Sequence, residues 1–479
     1  MSSTPVHVSS PAGTITGYTE GDVNYFHSVD YSLIPGDFEN AVKLNAARDL
    51  DARTPRPDAV ALTITAPQQA TDAPVLVYIH GGRYENGTHE DPRAEGTANA
   101  RAGIIQVQVG YRVGLQGFAQ FHDDESFRFR GIDDCQLALE WIQSNIESFG
   151  GDPTNVTVIG QSAGATTALW LMRRDHYKGA FRRVVALSPA FPLESNEKRR
   201  ASLRRALGVP VTRESLAALP QDKLADGYSK FRKKHNLGMA LGPAPFDATE
   251  MVDIPLVVGS TRDEFYGIPV AQKIDSSPLR GLALRQMAPK FGFPPNSLGP
   301  WRQIASYIDK ERPLGRMIGD ANIRRWVAQA ADDAPGPTWM IEFTRSGRPA
   351  LHCEELRFIF GVRDGESART LNSWLHNFVR TGHTGFPEYR PDHAIWEYNL
   401  DSGNERVAHG SLDYVGAAFP AKPSYYSFEC YRSAGSAWEP CLFTQLRRPS
   451  SAATMNKKSQ QKFLPLAVKS WDGSNFQGR

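Results

Sequence analysis

The chain has 479 residues, 41% of them hydrophobic and 22% charged, a balance that excludes fibrous and disordered classes for most of its length. A chain this long buries roughly three quarters of its unfolded surface, and a length of about 150 residues per domain allows three domains or one large α/β sheet. Lys plus Arg total 54 against 52 for Asp plus Glu, so the net charge of +2 supplies no global field for nucleic acid, anionic membrane or acidic polymer.

The N-terminal stretch has no Lys or Arg before Lys43 and no apolar run of signal-peptide length, and no 18-residue apolar stretch offers a membrane span. Cytoplasm is therefore the expected location. Residues 12 to 65 alternate polar and apolar positions between Gly and Pro punctuation, which predicts short antiparallel strands at a sheet edge. Two apolar runs follow, Ala73 to Gly82 and Gly103 to Arg112, spaced as buried strands joined by a crossover.

From Gly131 to Phe149 the period becomes helical, with Ile132, Cys135, Leu139, Ile142 and Ile146 on one face. Next come a short strand Val156 to Ile159, the turn Gly160-Gln161-Ser162-Ala163-Gly164, a helix from about Ala163 to Arg174, and a strand Val184 to Phe191. This alternation predicts a mostly parallel, doubly wound α/β sheet. A further strand that ends near Val258 and runs into a polar loop is expected within Ile254 to Glu264, and another at Thr338 to Thr344. The charge-rich helical stretches 193–250 and 275–335 are expected to form a cap over one sheet end. The four cysteines, Cys135, Cys353, Cys430 and Cys441, form no CxxC pair, and no His cluster has zinc-finger spacing, so neither a disulfide framework nor a structural metal is expected.

The catalytic signal is Gly160-Gln161-Ser162-Ala163-Gly164 between an apolar strand and an Ala-rich helix. A serine at the apex of such a turn stands clear of the backbone, and glycines two residues away tolerate the crowding. Its hydroxyl needs a base, and the base needs an acid. Asp263 and Glu264 follow one strand and His352 follows the next, while His376 and His383 are rival bases, in a helical pattern and a Gly-rich turn. His80-Gly81-Gly82, at another strand end, supplies backbone amides that with Ala163 form an oxyanion hole. The acidic loops His89-Glu90-Asp91 and His122-Asp123-Asp124-Glu125 lack a scaffold for metal and read as solvated loops; Trp141, Trp374 and Trp396 read as core anchors.

In Pro74 to Gly87, Ile104 to Phe118 and Gly131 to Ala165, and more weakly at Val257 to Gly267, His352 to Gly361 and Trp374 to Tyr389, the chain resembles the type-B carboxylesterase family of α/β-hydrolases, which includes para-nitrobenzyl esterases and cholinesterases. The resemblance implies Ser162 as nucleophile, His352 as general base, Glu264 as the triad acid, and oxyanion donors at Gly82, Arg83 and Ala163. It implies hydrolysis of small-molecule carboxylic esters through an acyl-enzyme, with no cofactor. A silent binding module on the same fold and a serine acyltransferase using the same residues are the alternatives.

The chain departs from the family pattern at several positions. Arg83 stands for a third glycine, Gln161 for the commoner Glu, Phe265 for a Gly after the acid, Cys135 for a Gln, and Ala59 where animal members place a disulfide cysteine. Arg83 admits two readings: a cation beside the acyl pocket that selects acidic esters, or a side chain turned to solvent or to Glu85, Glu90 or Asp91. The hydrolase domain is expected over 1–425. Residues 446–479 carry seven basic side chains and one acid, splitting the charge into +6 there and −4 elsewhere, so 426–479 reads as a disordered basic tail. Oligomeric state is not legible.

Overall fold

The structure is a computed structural model and describes residues 3–44 and 46–420; the basic segment 426–479, with Cys430 and Cys441, lies outside them. Within that body, strands β1 (Thr4–Ser10), β2 (Gly13–Glu20), β3 (Val23–Asp30) and β4 (Ala61–Pro67) precede β5 (Ala73–Ile79), β6 (Ile105–Val109), β7 (Gly151–Gln161) and β8 (Arg183–Leu187). Then come β9 (Leu256–Thr261), β10 (Thr338–Thr344), β11 (Ala394–Asn399) and β12 (Glu405–His409). They form one sheet in the order β1-β2-β3-β4-β6-β5-β7-β8-β9-β10-β11-β12, with Leu50–Asp51 paired to β2. The seven strands from β6 to β11 in this order are mutually parallel, and antiparallel pairs extend the sheet at both ends.

The two faces follow from strand periodicity. Val75, Val77 and Ile79 of β5 join one core cluster, and Leu76 and Tyr78 join the other. The first cluster is covered by helices α1 (Arg130–Asn145) and α2 (Ala163–Leu171), with Ile132, Cys135, Leu139 and Ile142 buried as the helical period requires. The second is covered by the helix Glu366–Thr381 through Leu371, Leu375 and Phe378. Helices on both faces of a mostly parallel sheet define the doubly wound class.

The stretch 193–250 contains α3 (Asn196–Leu207), a short helix Arg213–Ala217 and α4 (Gln221–Lys234). Ser195 caps α3 by accepting from the Lys198 amide. The stretch 275–335 contains the helices Arg280–Met287, Leu298–Ile308, Pro313–Gly319 and Arg325–Asp333, the last two joined by a π-helical turn at Asp320–Arg324. No helix among the described residues is long and apolar enough to cross a membrane.

Candidate active site

Because β5, β7, β8, β9 and β10 run parallel, the loops at their carboxyl ends share one edge of the sheet, where open α/β folds form their sites. Ser162 follows β7 directly, at φ +56° and ψ −120°. A non-glycine residue there stores roughly 1–3 kcal/mol of strain, which the surroundings must impose. They do: the Ser162 amide donates to Leu187 of β8 at 2.8 Å, and its carbonyl accepts the Thr166 amide at 3.0 Å as the first turn of α2. A Cβ on Gly164 would lie 2.0 Å from the Ile79 carbonyl oxygen, and one on Gly160 2.3 Å from that of Gly164, so only glycine permits this approach of strand, turn and helix.

His352 lies on the loop after β10, and its Nδ1 is 2.5 Å from Oε2 of Glu264 on the loop after β9. Glu264 Oε1 accepts from the Ser188 hydroxyl at 2.6 Å and the Thr261 amide at 2.9 Å, and the His352 amide donates to the Glu264 carbonyl at 3.0 Å. The carboxylate is buried and nearly saturated with donors. Burial opposes charge on the imidazole, but the Cys353 sulfur and the Glu264 carboxylate beside it outweigh that, holding the imidazolium well above the usual histidine range. The Gln161 carboxamide nitrogen reaches to 3.5 Å from His352 Nε2, so the second ring nitrogen faces the elbow and meets a neutral group. Phe265 lies over the imidazole with ring centroids 5.2 Å apart.

Asp263, the other carboxylate of this loop, points elsewhere. It pairs with Arg316 at 2.9 Å, accepts the Ala350 amide at 3.0 Å and donates its own amide to the Ala350 carbonyl at 3.1 Å. Asp263 thus ties the acid loop to the histidine loop, and the structure separates two neighbours that composition alone leaves equivalent.

His80 is buried and held down to about 4 by that burial; its ring stacks on Tyr111 at 4.3 Å and its Nδ1 meets the Gly81 carbonyl at 2.7 Å. It is a neutral structural group. Gly81 presses against the elbow, a Cβ there falling 3.1 Å from that of Ser162. Gly82 has φ +107°, and its carbonyl accepts the amides of Glu85 and Asn86. Among the described residues the Gly82 and Ala163 amides donate to no protein acceptor. Arg83 and Tyr84 continue the turn at φ +59° and +64°.

The Arg83 guanidinium takes a direction that neither reading of the sequence anticipates: Nη2 donates to the Gly238 carbonyl at 2.9 Å, within the 193–250 insertion. The local acids have partners of their own, Glu85 with Tyr228 and Arg232, Glu90 with His27 and Thr63, Asp91 with Arg93 and Tyr78. His376 lies away from this cluster, its Nε2 2.8 Å from Asn99.

Two residues escape a reading of the sequence. Ser188, at φ +52° after β8, orients Glu264; its only signal is a hydroxyl interrupting an apolar strand. Glu355 is fully buried with neither carboxyl oxygen bonded among the described residues. Burial, then the Glu264 charge, push it up to about 7.

A serine on a strained strand-to-helix turn, a carboxylate-held imidazole and a Gly-Gly turn on the same edge define an α/β-hydrolase. The Carboxylesterase family matches residues 40–270, and a para-nitrobenzyl esterase of Bacillus subtilis is 28% identical over 377 residues, 68% of this chain and 74% of that protein. The fumonisin B1 esterase of Sphingopyxis macrogoltabida is 26% identical over 342 residues, 63% of this chain; the match spans 61% of that esterase's length. A solved PNB esterase superposes with a TM-score of 0.70 at 23% identity, over 86% of this chain and 98% of its own. Residues 40–270 are thus similar to the carboxylesterase family, and the chain has the α/β-hydrolase fold.

Proposed function

We propose that this protein hydrolyses small-molecule carboxylic esters through an acyl-enzyme on Ser162. Ser162 Oγ attacks the ester carbonyl carbon while His352 Nε2 takes its proton. The amides of Gly82, Arg83 and Ala163 receive the oxyanion. The tetrahedral adduct collapses, the C–O bond to the alcohol breaks, and His352 returns the proton to the leaving oxygen. Water then repeats the sequence on the acyl group, releasing the acid and Ser162. Glu264 holds the imidazole tautomer and stabilises its protonated form. The helices within 193–250 and 275–335 frame the acyl and alcohol pockets.

The observation that carries this reading is the 2.5 Å pairing of His352 with the buried Glu264 on the edge where Ser162 sits in strained geometry. The test is an acid quench during turnover of a para-nitrophenyl ester. Acylation of the peptide bearing Ser162, absent in Ser162→Ala, is the expected result, and turnover with no acylated serine would refute the mechanism.

A further inference from the structure

Three consecutive side chains of the turn after β5 are bonded to the 193–250 insertion and the loop leading into it. Arg83 donates to the Gly238 carbonyl at 2.9 Å and Tyr84 to the Ala190 carbonyl at 3.0 Å. Glu85 accepts from the Tyr228 hydroxyl at 2.7 Å and pairs with Arg232 at 3.0 Å. Tyr228 and Arg232 are four residues apart on α4, so one face of that helix meets Glu85. The segment beyond α4 is gripped from its other side too, since Arg199 of α3 donates to the Ala240 and Gly242 carbonyls at 3.3 and 2.9 Å. Residues 238–242 are thus held between an arginine of the turn and an arginine of the cap.

Arg83 and Tyr84 both occupy the left-handed region, which disfavours a side-chain-bearing residue by about 1–2 kcal/mol each. A turn with glycine there would hold its shape without strain. This one holds it against strain: the Glu85 and Asn86 amides donate to the Gly82 carbonyl and the Gly114 amide to the Tyr84 carbonyl, and the contacts with the insertion add side-chain restraints to these backbone bonds. A change of φ at Arg83 rotates the peptide that carries the Arg83 amide, one of the oxyanion donors under the esterase reading above, on which this inference rests.

We propose that Arg83, Tyr84 and Glu85 are positioning residues through which seating of the cap sets the oxyanion donors. The residue that replaces a glycine then contributes in two ways. Its amide faces the oxyanion, and its guanidinium couples that amide to the wall of the acyl side. Specificity expressed this way falls on kcat, because an oxyanion donor acts on the transition state more than on the bound ester.

The experiment compares wild type, Arg83→Met, Arg83→Lys, Tyr228→Phe and Lys230→Ala. Lys230 is an exposed residue of α4 paired with Asp226 and serves as control. Steady-state kinetics with para-nitrophenyl acetate are read beside labelling of Ser162 by an organophosphonate and thermal unfolding. Arg83→Met is expected to lower kcat about tenfold with KM within about twofold, and Tyr228→Phe to lower it by about threefold, as misplaced donors do. Arg83→Lys is expected to recover part of the loss, and Lys230→Ala to match wild type. If Arg83→Met fails to fold, Tyr228→Phe carries the test, since it leaves the turn's own sequence intact. Unchanged kcat in the folded variants, or a rise in KM alone, would overturn the coupling. Failure of wild type to be labelled would instead overturn the esterase reading, and this inference with it.

Discussion

The Ser162 elbow and the turn after β5 touch at Gly81, yet they are held in different ways. The elbow is built from backbone. Gly160 and Gly164 allow strand, turn and helix to close on one another, and the Ser162 amide is fixed by β8. The turn after β5 relies on side chains as well as backbone, with two left-handed non-glycine residues whose side chains are bonded to the Gly238 and Ala190 carbonyls of the loops after α4 and β8. A backbone-built element carries its geometry in a short motif, whereas a side-chain-built one depends on partners that are more than a hundred residues away.

Breaking the elbow should have the largest effect on stability, and with it on everything the site does. Gly164→Ala places a Cβ 2.0 Å from the Ile79 carbonyl with no flexible group to yield, and a loss of ~3 kcal/mol or more is expected in denaturant unfolding, with soluble yield falling accordingly. Glu264→Gln removes the charge behind His352 and turns one acceptor oxygen into a donor, which also unsettles the imidazole tautomer. We expect kcat to fall roughly 10³–10⁴-fold. The sign of the pH effect follows from the raised imidazolium, which the Glu264 carboxylate supports. Without that charge the imidazole loses its proton at lower pH, so the acidic limb of kcat/KM should move down.

Glu355→Gln tests the ground beneath the histidine loop. A carboxyl pushed up to about 7 in the fold, from near 4.5 in the unfolded chain, favours the native state below the lower value and loses that contribution as pH rises to the higher one. The stability difference between the Gln variant and wild type should therefore grow in favour of Gln by ~3 kcal/mol between about pH 4.5 and 7, then level off. A difference independent of pH would place an ordinary carboxyl there. The smallest effect belongs to the turn, where Arg83→Met is expected to slow turnover only about tenfold, because the strained backbone is displaced and its amides are not removed.

The parallel sheet, the crossover helix and the elbow were legible because hydrophobic period and glycine spacing are local. Strand β10 was read at the bounds found, and Cys135 and Ile142 fall on the buried face that the helical period assigns them. Strands β11 and β12 left no comparable mark: β12 is a mostly exposed edge strand, and β11 mixes Glu397 into an apolar run because that carboxylate is paired with Arg262 and Arg406. The candidate triad residues were legible in order, while the choice between Asp263 and Glu264 came from family resemblance. Its physical ground is long-range, since Arg316 claims one carboxylate and Ser188 with His352 the other. Arg83 was conspicuous as a departure, but no local rule connects it to a carbonyl 155 residues on.

Under the proposed function Ser162 is a nucleophile activated by His352, and the coupling of the turn to the insertion depends on that role. It is tested most directly by incubating the folded wild-type protein and Ser162→Ala with an organophosphonate and reading the adduct by peptide mass spectrometry. One phosphonylated peptide, carrying Ser162, is expected in wild type and none in the variant. An unlabelled wild type, or equal labelling of both proteins, would contradict it.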